Sequence, residues 1–311
     1  MTITIIVPVY GVERYIRECA ASLFTQTYED IEYIFCDDCT PDRSMDILRD
    51  VMEQYPERKP HIRIIRNESN KGLGGTRRHL VSEIETDYFM IVDSDDLMPA
   101  TAVEILARRM KETDSDIVDA GYAEYANGRT GDAITPCHDT GRKYLNKVLC
   151  NNLVSLHVWG KLYKSSILKT MPDLFVEGID FAEDLCATTR LAAVTTRSWT
   201  DEVVYYYRTD NVNSYTQNIS EKNILSYFRA CNKILSFYHR QGHLPFALEI
   251  GMLNAYRECR KSGISVEKAD EVTRYVPQHV RAGLMYRLLR SESVPFVVSD
   301  FIYRLFRALA A

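Results

Sequence analysis

The feature that most restricts the fold is an alternation in the first hundred residues. Short β-branched and apolar runs, ITIIVPVY, IEYIFC, HIRIIRN and YFMIVD, are separated by stretches with apolar residues at helical spacing. VERYIRECAASLFTQ brings Tyr15, Ile16, Cys19, Leu23 and Phe24 to one side, and DRSMDILRDVMEQY does the same with Met45, Leu48, Val51 and Met52. GTRRHLVSEI predicts a third helix. Strand–helix–strand repetition places a crossover between successive strands, which gives a parallel sheet covered by helices on both faces. The expected class is α/β, with a mostly parallel Rossmann-like sheet flanked by helices. Ligands of such sheets bind beyond the carboxyl ends of the strands.

Three of those ends carry polar or charged residues: Asp37 and Asp38, Arg66 and Asn67, and the group Asp93, Asp95 and Asp96. Three carboxylates in four positions repel one another, so they need water or a positive partner. A D-x-D at a strand end suits Mg2+ or Mn2+, which bind through one or two carboxylates together with substrate phosphates. The plainer alternative is an acidic turn in which Asp96 caps a helix starting near Pro99. In CDDCTPDRS, Asp37 and Asp38 can accept from a ligand's N–H or hydroxyl groups, with Asp42 capping the next helix. Cys36 and Cys39 have redox spacing, but the two aspartates between them disfavour a thiolate.

NKGLGGTRR is glycine-rich without being a phosphate-binding P-loop. Gly72, Gly74 and Gly75 permit close backbone approach, and Arg77 can meet a phosphate or an aspartate of the facing loop. A flexible loop ahead of a basic helix start is the plainer alternative. In EGIDFAEDL, Glu183 and Asp184 fall at a helix start, where the dipole favours anions. There they either cap the helix or serve as a general base.

Beyond residue 115 the alternation loosens. SDIVDAGYAEYA predicts a strand region, residues 127–143 a loop or mobile segment, and the chain reads as helical from about 220 onward. The predicted division is 1–218 for the α/β domain that carries the strand-end site and 219–311 for a helical C-terminal region.

Charge is uneven. The net charge is −5, yet from Arg274 onward six arginines face only Glu292 and Asp300, which leaves about −9 on the rest. An acidic body argues against nucleic acid as a partner, and the basic tail permits contact with an anionic surface. The opening MTITIIVPVYG lacks a basic leader region, and no run approaches the roughly 20 apolar residues that span a bilayer. The eight scattered cysteines fit reduced thiols. The expected location is cytoplasmic.

Taken in order, IIVPVYGVERYIRECAASLFTQTYEDIEYIFCDDCTPDRS, NKGLGGTRR, VDSDD, WGKLY, EGIDFAEDL and YYYRTDNVNSYT resemble the family 2 glycosyltransferases, of GT-A fold and inverting chemistry, over roughly residues 1–216. Cys39 stands at a common glycine of that family, Pro41 at a common threonine and Arg78 at a frequent asparagine. The resemblance implies that Pro8, Val9 and Tyr10 line the nucleotide pocket with Glu13 nearby, that Asp37 or Asp38 contacts uracil or ribose, and that Arg77 lies under the nucleotide. It implies that Asp93, Ser94 and Asp96 meet the nucleotide-sugar, and that Asp95 and Asp93 hold Mn2+ or Mg2+. It makes Asp184 the general base beside Glu183, and has Trp159, Glu177 and Gly178 shape the acceptor side. Arg208 closes over the diphosphate.

The implied activity is transfer from a nucleotide-sugar, expected to be a UDP-sugar, to a glycan or lipid-linked acceptor in surface-polysaccharide assembly. A sugar nucleotidyltransferase would need a glycine-rich loop with arginine and lysine after the first strand, which VPVYGVERY lacks. A non-catalytic nucleotide-sugar-binding or scaffold subunit is the alternative from another class. Finally, FVVSDFIYRLFRALAA forms an apolar stripe, Phe296, Val297, Phe301, Ile302, Leu305, Phe306 and Leu309, flanked by Arg304 and Arg307. It predicts a helix packed on the chain's own core, on a second copy as a homo-oligomer contact, or on the inner membrane leaflet as a peripheral anchor.

Overall fold

The computed structural model describes residues 1–147, 156–211 and 220–242, with isolated positions between 253 and 304. It divides into two compact units. The first comprises Met1–His138, His157–Gly178 and Thr195–Asn213; the second comprises Asp139–Leu156, Ile179–Val194 and Ser214–Ala311. A cut at 218 therefore places residues 139–156 and 179–194 with the wrong partner. The reason is packing: in the second unit α7 (Glu183–Leu191) lies against α8 (Glu221–Arg240), where Tyr238 donates to the Thr189 carbonyl at 2.7 Å. Ser226 of α8 also accepts from the Asp180 and Phe181 amides at 2.9 and 3.0 Å.

In the first unit, β1 (Ile3–Val9), β2 (Ile31–Asp37), β3 (Ile62–Arg66) and β4 (Tyr88–Ile91) form the parallel half of an eight-stranded sheet. Crossover helices α1 (Ile16–Phe24), α2 (Ser44–Met52) and α3 (Gly72–Ser82) join them. Every residue of β1 is buried, as expected of a strand covered on both faces. Leu23, Phe24, Leu48 and Val51 from the predicted apolar faces of α1 and α2 enter this core. After α4 (Ala102–Thr113) come β5 (Ile117–Ala126), β6 (Arg129–Ile134), β7 (Leu162–Lys164) and β8 (Arg197–Arg208). The strand order is β3-β2-β1-β4-β7-β5-β6, with β8 also on β5. β7 runs antiparallel to β4 and β5, and β8 runs parallel to β5. Two short helices, α5 (Gly141–Asn146) and α6 (Ser166–Thr170), complete the middle of the chain.

The sheet corrects the expected loop at 127–143. Ala126 pairs with Arg129, so Asn127 and Gly128 make a two-residue hairpin, with φ of 52° and 77°. Asn-Gly is the pair that accepts positive φ at both turn positions, and it pins β6 to β5. All of β6 is exposed, so no apolar pattern marks it as a strand. The glycine-rich stretch also differs from expectation: Gly72, Gly74 and Gly75 lie inside α3 rather than in a loop. A Cβ on Gly75 would sit 2.7 Å from the Lys71 Cβ and 3.3 Å from the Glu177 Cγ, so here glycine permits close packing.

Among the described residues no helix is long and apolar enough to cross a membrane. The predicted C-terminal stripe is described only in part, and Phe296, Leu305, Phe306, Arg307 and Leu309 lie outside the described residues. Within it Tyr303 is buried and meets the Arg257 guanidinium, while Val297, Val298 and Phe301 are exposed. One side of this segment thus packs within the chain, and the other faces out.

Candidate functional site

In the parallel half of the sheet the chain leaves β1 toward β2 on one side, and β4 lies on the other. The order reverses between β1 and β4, and that is where a doubly wound sheet opens a crevice at its carboxyl edge. The register Val9↔Asp37 and Asp37↔Arg66 brings three strand ends level. The acidic loop follows β4 at the same edge, with the Val92 amide bonded to the Ile6 carbonyl of β1.

Each aspartate of that loop is held differently. Asp93 is half-buried and accepts from Arg77 at 2.7 Å, while the Arg77 side chain is only 1% exposed and lies against the Phe175 ring. Arg77 is therefore a brace for Asp93. Asp95 Oδ2 accepts from the Asn211 side-chain Nδ2 at 2.7 Å. Burial raises its pKa first and the Asp93 charge raises it further, against the opposing pull of Asn211 and Arg208. Asp96 is buried, and both its oxygens are engaged, Oδ1 by the Arg208 amide and Oδ2 by the Tyr205 hydroxyl, each at 2.7 Å. Burial, then Asp95 and Asp93, pushes its pKa well up. Asp96 does not cap the next helix. That helix begins at Ala102 behind Thr101, and Asp96 turns instead toward β8. Ser94 is buried between them.

Arg208 is equally committed. Its Nε donates to the Asp95 carbonyl and one terminal nitrogen to Glu18, both at 2.6 Å; the guanidinium lies between the Tyr15 and Tyr125 rings at 4.9 and 5.0 Å. These contacts make it a brace for the acidic loop.

The second acidic turn divides labour as well. Asp38 is 3% exposed, and its carboxylate accepts from the Asn67 side chain and the Lys71 amide at 2.7 Å and from the Gly72 amide at 3.0 Å. It anchors the start of α3. Asp37 accepts from the Thr40 amide at 2.8 Å and pairs loosely with exposed Arg66 at 3.4 Å, so of the two it is the one turned toward the edge. Asp42 ties the strand ends together through Thr40, Ser44 and the Glu13 amide. Burial would raise its pKa, and those hydrogen bonds outweigh it and hold the carboxyl below its usual value. Cys39 takes a left-handed φ of 58°, the conformation a glycine supplies without strain, and its thiol donates to the Asn67 carbonyl at 3.2 Å. Cys36 and Cys39 are both free thiols, and burial, then Asp38 and Asp37, pushes Cys36 up to about 12.

Of the remaining predicted residues, Pro8 and Val9 are buried in β1, Tyr10 is 47% exposed at its end, and Glu13 is exposed and accepts from the Arg43 amide at 3.2 Å. Trp159 is buried in an aromatic stack with His157 and Tyr205. Glu177 and Gly178 form a turn with φ of 80° at the glycine, and the Glu177 side chain lies by Gly75. Glu183 and Asp184 open α7 in the second unit, after Ala182 takes a left-handed φ of 66°.

The sequence alone did not single out Tyr205, Asn211 or Glu18; they meet the acidic loop or Arg208 only once β8 has paired.

Among the described residues no group of three or more His, Cys, Asp or Glu side chains converges as a metal cage. Asp93 and Asp95 nonetheless fit a cation shared with phosphates, because their mutual repulsion is what a positive charge relieves.

The family model for glycosyl transferase family 2 matches residues 4–171, more than half of the chain. The chain belongs to glycosyl transferase family 2. It is 33% identical over 226 residues to the uncharacterized glycosyltransferase EpsJ of Bacillus subtilis, a match spanning 69% of this chain and 63% of EpsJ. It is 33% identical over 187 residues to the poly(ribitol-phosphate) beta-glucosyltransferase of Bacillus spizizenii, spanning 59% of this chain and 28% of that enzyme. The fold matches S. aureus TarS 1–349 crystallised with UDP-GlcNAc, with a TM-score of 0.69, 19% identity, and coverage of 100% of this chain and 90% of TarS 1–349. The mannosyltransferase PcManGT of Pyrobaculum calidifontis, in complex with GDP-Man and Mn2+, matches with a TM-score of 0.54 at 13% identity over 97% of this chain and 86% of that one.

Proposed function

We propose that the chain moves a sugar from a nucleotide-sugar, a UDP-sugar, to a hydroxyl of a glycan or lipid-linked acceptor, with inversion at the anomeric carbon. The observation that carries this is the pair Asp93 and Asp95 at the switch point of the parallel sheet, backed by Arg77, Arg208 and Tyr205. The complexes of TarS with UDP and UDP-GlcNAc support a uridine donor. The PcManGT complex supports a divalent cation among the partners.

A Mn2+ or Mg2+ held by Asp95 and Asp93 would supply Lewis-acid stabilisation of the charge that grows on the leaving diphosphate. The chain's own residues do the rest. Arg77 and the amides around Asp37 fix the carboxylates and the strand ends against which the nucleotide lies. Asp184, with Glu183 beside it, takes the proton of the acceptor hydroxyl. The hydroxyl oxygen bonds to the anomeric carbon as the bond from that carbon to the diphosphate oxygen breaks. The roles of Asp184, Glu183, Trp159, Glu177 and Gly178 rest on the sequence motifs.

Action at the cytoplasmic leaflet belongs to the same proposal. It is supported by the exposed apolar side chains Val297, Val298 and Phe301.

The test is UDP release from a panel of UDP-sugars with Mn2+ present. Release from at least one donor, suppressed by EDTA, is the expected result. Binding of the same donors without any release, even with candidate glycan acceptors added, would instead favour a non-catalytic subunit.

A further inference from the structure

The residues that surround Asp93, Asp95 and Asp96 come mostly from one short segment, the end of β8 and the residues after it. The Tyr205 hydroxyl donates to Asp96 Oδ2 at 2.7 Å and accepts from the Asp93 amide at 3.1 Å. One hydroxyl thus spans the D-x-D pair and the aspartate after it. The Arg208 amide holds the other oxygen of Asp96, and Leu97 and Tyr206 exchange backbone hydrogen bonds at 2.9 and 3.2 Å.

The Tyr205 ring itself has little room. It is fully buried and stacked on Trp159, with centroids 4.2 Å apart and planes 12° apart. Gly160, at a φ of 66°, presses on it from the chain side, where a Cβ would come within 3.1 Å of the Tyr205 Cβ. Burial, then Asp96 and Asp93, pushes the phenol well above its ordinary pKa, so it stays a neutral donor.

We propose that Tyr205 is a positioning residue for nucleotide diphosphate and cation binding: its hydroxyl, locked by the Trp159 stack, sets the backbone of Asp93 and the side chain of Asp96 so that Asp93 and Asp95 face the incoming cation together. This deepens the proposed function and rests on it. Tyr205 touches neither the cation nor the sugar; it acts through the loop. Removing its hydroxyl leaves the Asp93 amide and Asp96 Oδ2 each without a buried partner, so the loop relaxes. The carboxylates then lose their shared aim, a displacement that an ordered cation seat does not tolerate.

The experiment is calorimetric titration of Mn2+ into full-length protein saturated with UDP, alongside thermal melts. Tyr205→Phe is expected to weaken apparent Mn2+ affinity about tenfold, the worth of roughly one hydrogen bond to a charged group. Tyr33→Phe is the control. It removes a buried hydroxyl on β2 of the same sheet that donates to the Leu23 carbonyl at 2.8 Å. It is expected to lower the melting temperature comparably and leave Mn2+ affinity unchanged.

Wild-type Mn2+ affinity in Tyr205→Phe, or an equal loss in both variants, would overturn the inference while leaving the functional reading in place. If Tyr205→Phe does not fold, Trp159→Phe keeps the hydroxyl but loosens the ring. It too is expected to weaken Mn2+ affinity, and unchanged affinity there would overturn the inference. A wild-type protein that binds no UDP with Mn2+ would remove the inference together with the reading beneath it.

Discussion

Asp184→Asn is expected to release UDP from its donor about 10²–10⁴-fold more slowly than the wild-type chain, the usual worth of a positioned general base. UDP affinity is expected to stay within about twofold, because the substitution removes a proton acceptor and no nucleotide contact. The two readouts must separate. An amide is nearly isosteric with the carboxylate at the head of α7, so a folding defect would show as a lower melting temperature rather than as a selective loss of turnover. Turnover at the wild-type rate would remove Asp184 from the mechanism. A parallel loss of UDP affinity would make it a donor ligand instead.

The second large effect concerns stability. Asp38→Ala is expected to cost about 2–4 kcal/mol, seen as a drop of several degrees in melting temperature. Its carboxylate serves three donors at the start of α3. Asn67 keeps Thr76 as a partner and the Gly72 amide keeps Asn70, but the Lys71 amide loses its acceptor outright. Asp38→Asn retains one acceptor oxygen and is expected to lose about half as much. Asp37→Ala, at a neighbour held by fewer donors, provides the contrast, with less stability lost and nucleotide binding weakened. An Asp38→Ala protein as stable as wild type, defective only in nucleotide binding, would reverse the assignment and make Asp38 the base or ribose contact.

The parallel half of the fold was legible because it is local. Ile16, Cys19, Leu23 and Phe24 at helical spacing, and an apolar ITIIVPV buried along its whole length, state both period and burial within single segments. The acidic strand ends were legible for the same reason, since Asp37, Asp93 and Asp95 stand where apolar runs stop. What could not be read was pairing between distant segments. β6 carries no apolar pattern because it is an exposed edge, and its evidence lay in Asn127-Gly128. Which carboxylates face outward was also hidden. Asp38 and Asp96 look like their neighbours in sequence, yet each is consumed by donors that arrive from residues 67–72 or from β8. The contacts of Arg208 with Tyr15, Tyr125 and Glu18 were hidden for the same reason, since they join segments far apart in the chain. The cut at 218 failed because residues 179–194 are adjacent in sequence to one unit and packed with the other.

If Asp93 and Asp95 bind a nucleotide diphosphate through a divalent cation, calorimetric titration of UDP with and without Mn2+ must show it. It requires neither the sugar nor the acceptor to be known. The expected result is binding that Mn2+ strengthens at least tenfold, with that gain abolished in Asp95→Ala while the melting temperature stays near that of wild type. UDP binding that ignores Mn2+ and survives Asp95→Ala, or no binding by UDP, GDP and TDP under either condition, would contradict it.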